Sequence, residues 1–174
     1  MGLLEYDVLP LAPENLTPDL AELLAYWEAQ RGDAFAPTWA NFHLYDLPPS
    51  VIPMTVVVDL DLAKDSIVYR FWGTGRSKLY GRDNTGRDVR DGLPDEAGPT
   101  VAEQYALTAK ARAPLLFRNT YPLRTQESSV CLALRLPLSS DGETIDKVVS
   151  YATFTKDVEV FVKYMNPDAR KAAI

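Results

Sequence analysis

The alternation of hydrophobic and polar residues is most informative between Ile67 and Arg87. The first residues of this stretch alternate with the period of a half-buried strand. One face carries Ile67, Tyr69 and Phe71, and the other carries Val68, Arg70 and Trp72. Gly73 and Gly75 end this strand, and residues 77–80 suffice for one helical turn. Residues 81–86 (GRDNTG) are typical of a turn, since they contain glycines and an Asp-Asn pair. The stretch therefore predicts a strand, a glycine break, a short helix and a polar turn.

An amphipathic helix is predicted over residues 17–31. Thr17-Pro18-Asp19 is a helix-start signal and Gly32 is a stop signal. Four apolar residues recur at helical spacing, namely Leu20, Leu23, Leu24 and Trp27. Such a face packs either on its own sheet or on a second copy of the chain. We predict that this helix packs on a second copy of the chain and forms a dimer. Packing on its own sheet remains the alternative.

The remaining pattern predicts an α+β domain. Residues 36–53 contain four prolines and read as a connector, and residues 95–112 form a second helix. Strands are predicted over residues 54–60, 66–73, 114–121, 128–138 and 144–155, with a hairpin turn at 139–142 and a weak helix in the tail from 161 to 174. The elements give a five-stranded antiparallel sheet covered on one face by helices. We expect an N-terminal extension over 1–35, the domain over 36–157 and a tail over 158–174.

Composition narrows the classes of function. The chain has 174 residues and a net charge of −6, with 18 basic and 24 acidic residues. The acids are spread along the chain and no basic cluster is present, which argues against a nucleic-acid or anionic membrane surface. No apolar run is long enough to span a bilayer, and the N-terminus has no secretion-signal pattern. The single cysteine, Cys131, excludes an internal disulfide. The expected location is the cytoplasm.

Several colinear motifs resemble a family of stand-alone bacterial PAS-like proteins. The motifs span residues 20–155 and are Tyr26-Trp27 with Arg31-Gly32, Pro37, Tyr69-Arg70 with Gly73-Thr74, Gly81 with Asp83 and Thr85-Gly86, and Leu136-Pro137-Leu138 with Asp141-Gly142. The chain departs from the family after Pro37, where Trp39, Asn41, His43 and Leu44 stand in place of the usual charged residues.

The resemblance implies a cavity between the sheet and its helices. The candidate pocket residues are large residues on the predicted strand faces and helices: Tyr69, Phe71, Tyr80, Tyr105, Val130, Leu132, Leu134, Val149 and Tyr151. Tyrosines combine an apolar body with a polar tip, which suits an organic ligand. The alternative is that these residues only fill the core.

Arg70 and Trp72 are the candidate partner or ligand contacts. Both are predicted on the strand face opposite Tyr69, where a guanidinium could bind the carboxylate of a ligand or partner. The alternatives for Arg70 are a surface salt bridge or a stack with Trp72.

Several cofactor chemistries are not expected. His43 is the only histidine, so the helix over 95–112 offers no axial ligand for haem. Flavin photosensors related to PAS domains carry a reactive cysteine after an asparagine, whereas Asn84 is followed by Thr85. No metal site is expected, because the acids at positions 88–96 read as helix-capping residues and lack a calcium-loop pattern.

The sequence thus predicts a non-enzymatic, cytoplasmic sensory or regulatory PAS-like module that binds a small organic ligand or a signalling protein, with the cofactor unknown. No output domain follows in these residues, so we expect signalling in trans. A ligand-free interaction scaffold is the first alternative. The second is a small enzyme, for which Asp59 and Asp61 are the only acids in position to serve.

Overall fold

The computed structural model describes residues 4–94, 97–122 and 126–166. The strands are β1 (Glu5–Leu9), β2 (Thr55–Asp61), β3 (Ser66–Trp72), β4 (Leu115–Pro122), β5 (Ser128–Leu138) and β6 (Lys147–Lys156). The helices are α1 (Pro18–Arg31), α2 (Thr74–Tyr80), α3 (Ala97–Ala111) and α4 (Val158–Met165). The described strands form one antiparallel sheet in the order β1-β4-β5-β6-β2-β3.

The predicted α+β class and antiparallel sheet are confirmed, and the strand count rises from five to six. The added strand is β1, which pairs with β4 from Glu5 opposite Thr120 to Leu9 opposite Leu116. It has five residues, none of them fully buried, at the edge of the sheet. A strand this short and this exposed carries too little hydrophobic alternation to be identified from sequence. The boundaries expected at 35 and 157 stay a prediction.

The two faces of the sheet are covered by different helices. On β5, Cys131, Ala133 and Arg135 face α2 and α3. Leu134 alternates with these and pairs with Tyr151, whose hydroxyl donates to the Asp19 carboxylate of α1 at 3.0 Å. Helix α1 therefore lies on the opposite face, which corrects the expectation that helices cover one face only.

Helix α1 is fixed to the sheet by its apolar side chains. Leu20, Leu23 and Trp27 are buried within the single chain, and Leu24 is partly exposed. The Trp27 indole N–H donates to the Pro137 carbonyl at 2.8 Å. The helix begins and ends as predicted, although the Thr17 hydroxyl makes no capping hydrogen bond.

A β-bulge in β3 changes which residues share a face. Phe71 pairs with Val57 and Tyr69 pairs with Val58, so Arg70 is the extra residue. A bulge shifts the alternation by one position. Trp72 therefore joins Tyr69 on the α2 and α3 side, and the two rings meet edge to face with centroids 4.8 Å apart. The alternation predicted from Ile67 to Trp72 fails at this point.

The glycine break after β3 is caused by a close backbone approach. A Cβ atom on Gly73 would overlap the Pro53 carbonyl, and the Gly73 N–H donates to the Thr55 carbonyl at 2.9 Å. Beyond α2, Gly86 adopts a φ of +82° and donates to the Tyr69 carbonyl at 2.7 Å. The polar turn is thus attached to the strand that precedes it.

Candidate functional site

A small cavity lies between the sheet and helices α2 and α3. Its volume is about 20 Å³, which corresponds to about one water molecule. The lining residues are Val56, Tyr69, Trp72, Arg76, Tyr80, Leu93, Val101, Tyr105, Asn119, Tyr121, Cys131, Ala133, Arg135 and Ala152. Five of these carry aromatic rings and two are arginines. The walls therefore combine aromatic and aliphatic surface with tyrosine hydroxyls and two positive charges.

The structure brings three of the predicted pocket residues to this cavity, namely Tyr69, Tyr80 and Tyr105. The others are not among its lining residues. Phe71 is displaced by the bulge and lines a surface groove with Pro53. The remaining ones, Val130, Leu132, Leu134, Val149 and Tyr151, lie elsewhere on β5 and β6, and Leu134 and Tyr151 are on the α1 face.

The sequence interpretation missed the most strongly polar lining residues, Arg76 and Arg135, together with Asn119, Tyr121 and Cys131. A signal for Arg135 was present, because it is a single charged residue within the apolar run LALRLPL. A charge in the middle of a buried strand needs a partner or a function. Arg76 follows the glycine break and had no comparable signal.

Arg135 is held in the core by neutral groups. It donates from Nη1 to the Ser150 hydroxyl at 3.1 Å and from Nη2 to the Gln104 side-chain oxygen at 2.7 Å. Its Cζ atom lies 3.9 Å from the ring centroid of Tyr105, a cation–π contact. Gln104 is oriented in turn by its hydrogen bond to Asn119 at 2.7 Å. The Nε–H of Arg135 is buried and has no partner among the described residues.

Arg76 enters the cavity from α2. It donates from Nε to the Met54 carbonyl and from Nη1 to the Tyr80 hydroxyl, both at 3.0 Å. Its Cζ atom lies 5.7 Å from the Tyr80 ring and 6.0 Å from the Trp72 ring. The Trp72 indole N–H is a second buried donor with no partner in the described part of the chain. The residues that line the cavity thus include two buried donors without an acceptor among the described residues.

The cavity carries two positive charges at neutral pH. Burial raises the pKa of Tyr80 and holds the pKa of Tyr69 and Tyr121 well above the usual value, so these phenols keep their protons. Burial also raises the pKa of the Cys131 thiol to about 11. For Arg76, burial acts to lower the pKa and Tyr80 acts to raise it, and the net pKa lies above its usual range. No Asp or Glu is among the described lining residues.

Arg70 and Trp72 do not share a strand face as predicted, and their role as partner or ligand contacts stays a prediction. Arg70 is exposed and pairs with Asp59, with 2.8 Å between Nε and Oδ1. This is the surface salt bridge kept as an alternative. Trp72 is buried in the cavity wall because of the bulge. An exposed pair of this kind contributes little to stability.

The predicted dimer residues of α1 are used inside the monomer. Leu20, Leu23 and Trp27 are buried against their own chain, so of the four only Leu24 offers exposed surface. The observation matches the alternative of packing on its own sheet. Whether the protein dimerises stays a prediction, which sedimentation of the wild type and a Leu24→Glu variant would test.

The acids considered for an enzyme lie outside the cavity. Asp59 pairs with Arg70 and Lys147, and Asp61 pairs with Lys64 and accepts from the Ala63 N–H. The Lys64 contact lowers the pKa of Asp61, which keeps this exposed carboxylate ionised. Of the acids at 88–96, Asp88 caps a short turn by accepting from the Arg90 N–H, and Asp95 and Glu96 lie outside the described residues.

Neither a metal-binding cluster nor a membrane-spanning helix is found among the described residues. They contain no group of three or more His, Cys, Asp or Glu side chains arranged to hold a metal ion. None of their helices combines the length and the apolar character needed to cross a membrane.

No protein-family model and no curated protein matches the chain. Among solved structures, it is similar to a fungal LOV domain photoreceptor at 17% identity and a TM-score of 0.47, covering 78% of this chain and 91% of that one. It is similar to an RNA-binding light-oxygen-voltage receptor at 13% identity and a TM-score of 0.47, covering 92% and 41%. For a PAS domain from Colwellia psychrerythraea the identity is 13% and the TM-score 0.42, covering 57% and 83%. All three likenesses are partial. The chain's own architecture, an open antiparallel sheet with helices on both faces, is consistent with a PAS fold.

Proposed function

We propose that the chain is a sensory or regulatory PAS-like module that binds a small organic molecule in the cavity between the sheet and helices α2 and α3. One observation carries this proposal. Two buried donors in the aromatic wall, Trp72 Nε1–H and Arg135 Nε–H, lack partners among the described residues. A buried donor without a partner is costly to folding, and a bound molecule with acceptor atoms would satisfy both.

A change at the cavity has a contact route to helix α4. Tyr80 and Tyr121 line the cavity, and both rings contact Phe161 of α4, with centroids 5.0 and 4.8 Å away. Arg76 donates to Tyr80 from within α2. A ligand that moves Arg76 would therefore move Tyr80 against Phe161. We propose that α2 and α4 form the element whose two arrangements differ in ligand affinity.

Native mass spectrometry of the purified full chain tests the proposal. We expect a fraction of the protein to carry one small molecule, which is released when the protein is denatured and can then be identified by mass. A bare protein mass in every preparation, with no binding from a metabolite extract, would contradict it.

A ligand-free interaction scaffold is the second candidate, supported by the cavity volume of about 20 Å³. In that case the two guanidiniums fill the core and partners bind the outer surface. A protein partner remains part of both candidates. A nucleic-acid partner is the weaker proposal because of the net charge of −6, and a gel-shift assay would test it. We propose a cytoplasmic location, as the sequence predicts.

A further inference from the structure

We propose that the ligand of this cavity is a small organic carboxylate whose anionic group lies between Arg76 and Arg135, an inference that rests on the proposed function of the cavity.

The charges of the two cavity arginines are not balanced by carboxylates of the described residues. Arg76 and Arg135 are only 7% and 3% exposed, yet neither takes part in any ion pair between described residues. The arginines that do pair with carboxylates are on the surface or half-exposed, namely Arg31, Arg70, Arg90 and Arg118. Removing a charge from water is unfavourable unless an opposite charge compensates it. No carboxylate of the described residues forms an ion pair with Arg76 or Arg135 in the cavity.

The hydrogen-bond donors of the two guanidiniums are only partly used by the described residues. Among the described residues, the partners of the two guanidiniums are neutral oxygens, from Met54, Tyr80, Ser150 and Gln104. Within the same residues, Arg135 Nε–H has no partner. A guanidinium presents its N–H groups in a planar fork that matches the two oxygens of a carboxylate. A carboxylate would therefore supply both the missing acceptor and the missing negative charge.

Aromatic rings form much of the wall around these charges. Four of the five rings belong to tyrosines, whose hydroxyls add neutral polar groups, and the remaining lining is aliphatic apart from the arginines, Asn119 and one thiol. Such walls favour an anion with a hydrocarbon body over inorganic phosphate, whose four oxygens all require hydrogen bonds. The present volume admits about one water molecule. Binding thus requires the long arginine side chains to swing aside, and this motion is part of the proposal.

Thermal unfolding of the full chain provides the test. The probes are sodium formate, acetate, benzoate and inorganic phosphate at about 20 mM, compared with sodium chloride at the same ionic strength and with neutral benzamide. At ten times the Kd, a carboxylate should raise the Tm of the wild type by roughly 3–6 °C, and benzamide should not. The rise should persist in Arg70→Met, which alters an exposed arginine, and should disappear in Arg76→Met and Arg135→Met. Should a methionine variant fail to fold, Arg135→Lys keeps the charge without the fork and should reduce the rise.

The other outcomes overturn the inference in separable ways. No rise with any carboxylate, or an equal rise with benzamide, excludes anion recognition. A rise that survives in both cavity variants shows that the anion binds elsewhere, and a larger rise with inorganic phosphate rejects the carboxylate. If native mass spectrometry then shows a bound neutral molecule, the proposed function stands and only the carboxylate assignment fails.

Discussion

The Arg135 guanidinium lies over the ring of Tyr105, with 3.9 Å between its Cζ atom and the ring centroid. Strand β5 places this charge within a run of apolar residues, and α3 supplies the aromatic face that receives it. A ring face attracts a cation only weakly compared with a carboxylate. The contact therefore keeps the guanidinium in the core without neutralising it. This arrangement is what makes the cavity a candidate anion site.

Arg135→Met should leave the free energy of unfolding of the ligand-free protein unchanged to within about 1 kcal/mol, or raise it. Removing the buried charge recovers a desolvation penalty of several kcal/mol, whereas Ser150 and Gln104 each lose one hydrogen bond, about 1–3 kcal/mol apiece. Urea unfolding followed by circular dichroism measures the change. A loss of about 3 kcal/mol or more would assign Arg135 to the structure of the core and would support the scaffold.

Leu20→Ala should destabilise the protein by about 2–4 kcal/mol, because this fully buried side chain packs α1 on its own chain. Leu24→Ala, on the same helix but partly exposed, serves as the matched control and should cost under about 1 kcal/mol. Chemical unfolding at two protein concentrations checks both values. If the cost of Leu20→Ala depended on concentration, the helix would contribute its apolar face to a dimer.

Gly73→Ala should destabilise by more than about 2 kcal/mol, since the added Cβ atom overlaps the Pro53 carbonyl and backbone atoms must shift. The comparison is Gly81→Ala. Gly81 has open space around it but a φ of +73°, so alanine there should cost only about 1–2 kcal/mol. Thermal unfolding of the two variants gives the ranking, and an equal or reversed order would refute the close approach of the two segments.

Cys131 should resist alkylation in the folded protein at about pH 8 and react fully once the protein is denatured. Burial raises the pKa of its thiol to about 11 from the ordinary value of 9.0. The pKa of the thiol is higher in the folded protein than in the unfolded chain. The stability that comes from keeping this buried thiol neutral is therefore complete below about pH 9 and is lost as the pH rises through about 11. Intact mass after iodoacetamide treatment provides the measurement. Rapid labelling of the folded protein would show that the cavity wall opens.

The sequence predicted those features that depend on neighbouring residues. Thr17-Pro18 and Gly32 bracket α1 because the start and stop of a helix are decided within one turn. The prediction that Tyr69, Tyr80 and Tyr105 lie near the cavity agrees with their positions in its wall, because these large residues near the glycine break and on α3 face inward.

The predictions that were wrong concern features that depend on pairing between distant segments. Alternation shows which residues share a face, but it does not show which helix covers that face. The leucines of β5 were therefore assigned to the cavity, although α1 covers the face that carries Leu134. The bulge at Arg70 arises from the pairing of β3 with β2, so nothing local to Tyr69 or Trp72 predicted it.

The central claim, that the cavity binds a small organic molecule through its buried arginines, is tested most directly by native mass spectrometry of three proteins purified side by side. These are the wild type, Arg135→Met, and Arg70→Met as the surface control. The account predicts one bound molecule, recovered as an organic acid, on the wild type and on Arg70→Met, with none on Arg135→Met. Bare masses for all three, or the same molecule retained on all three, would contradict it.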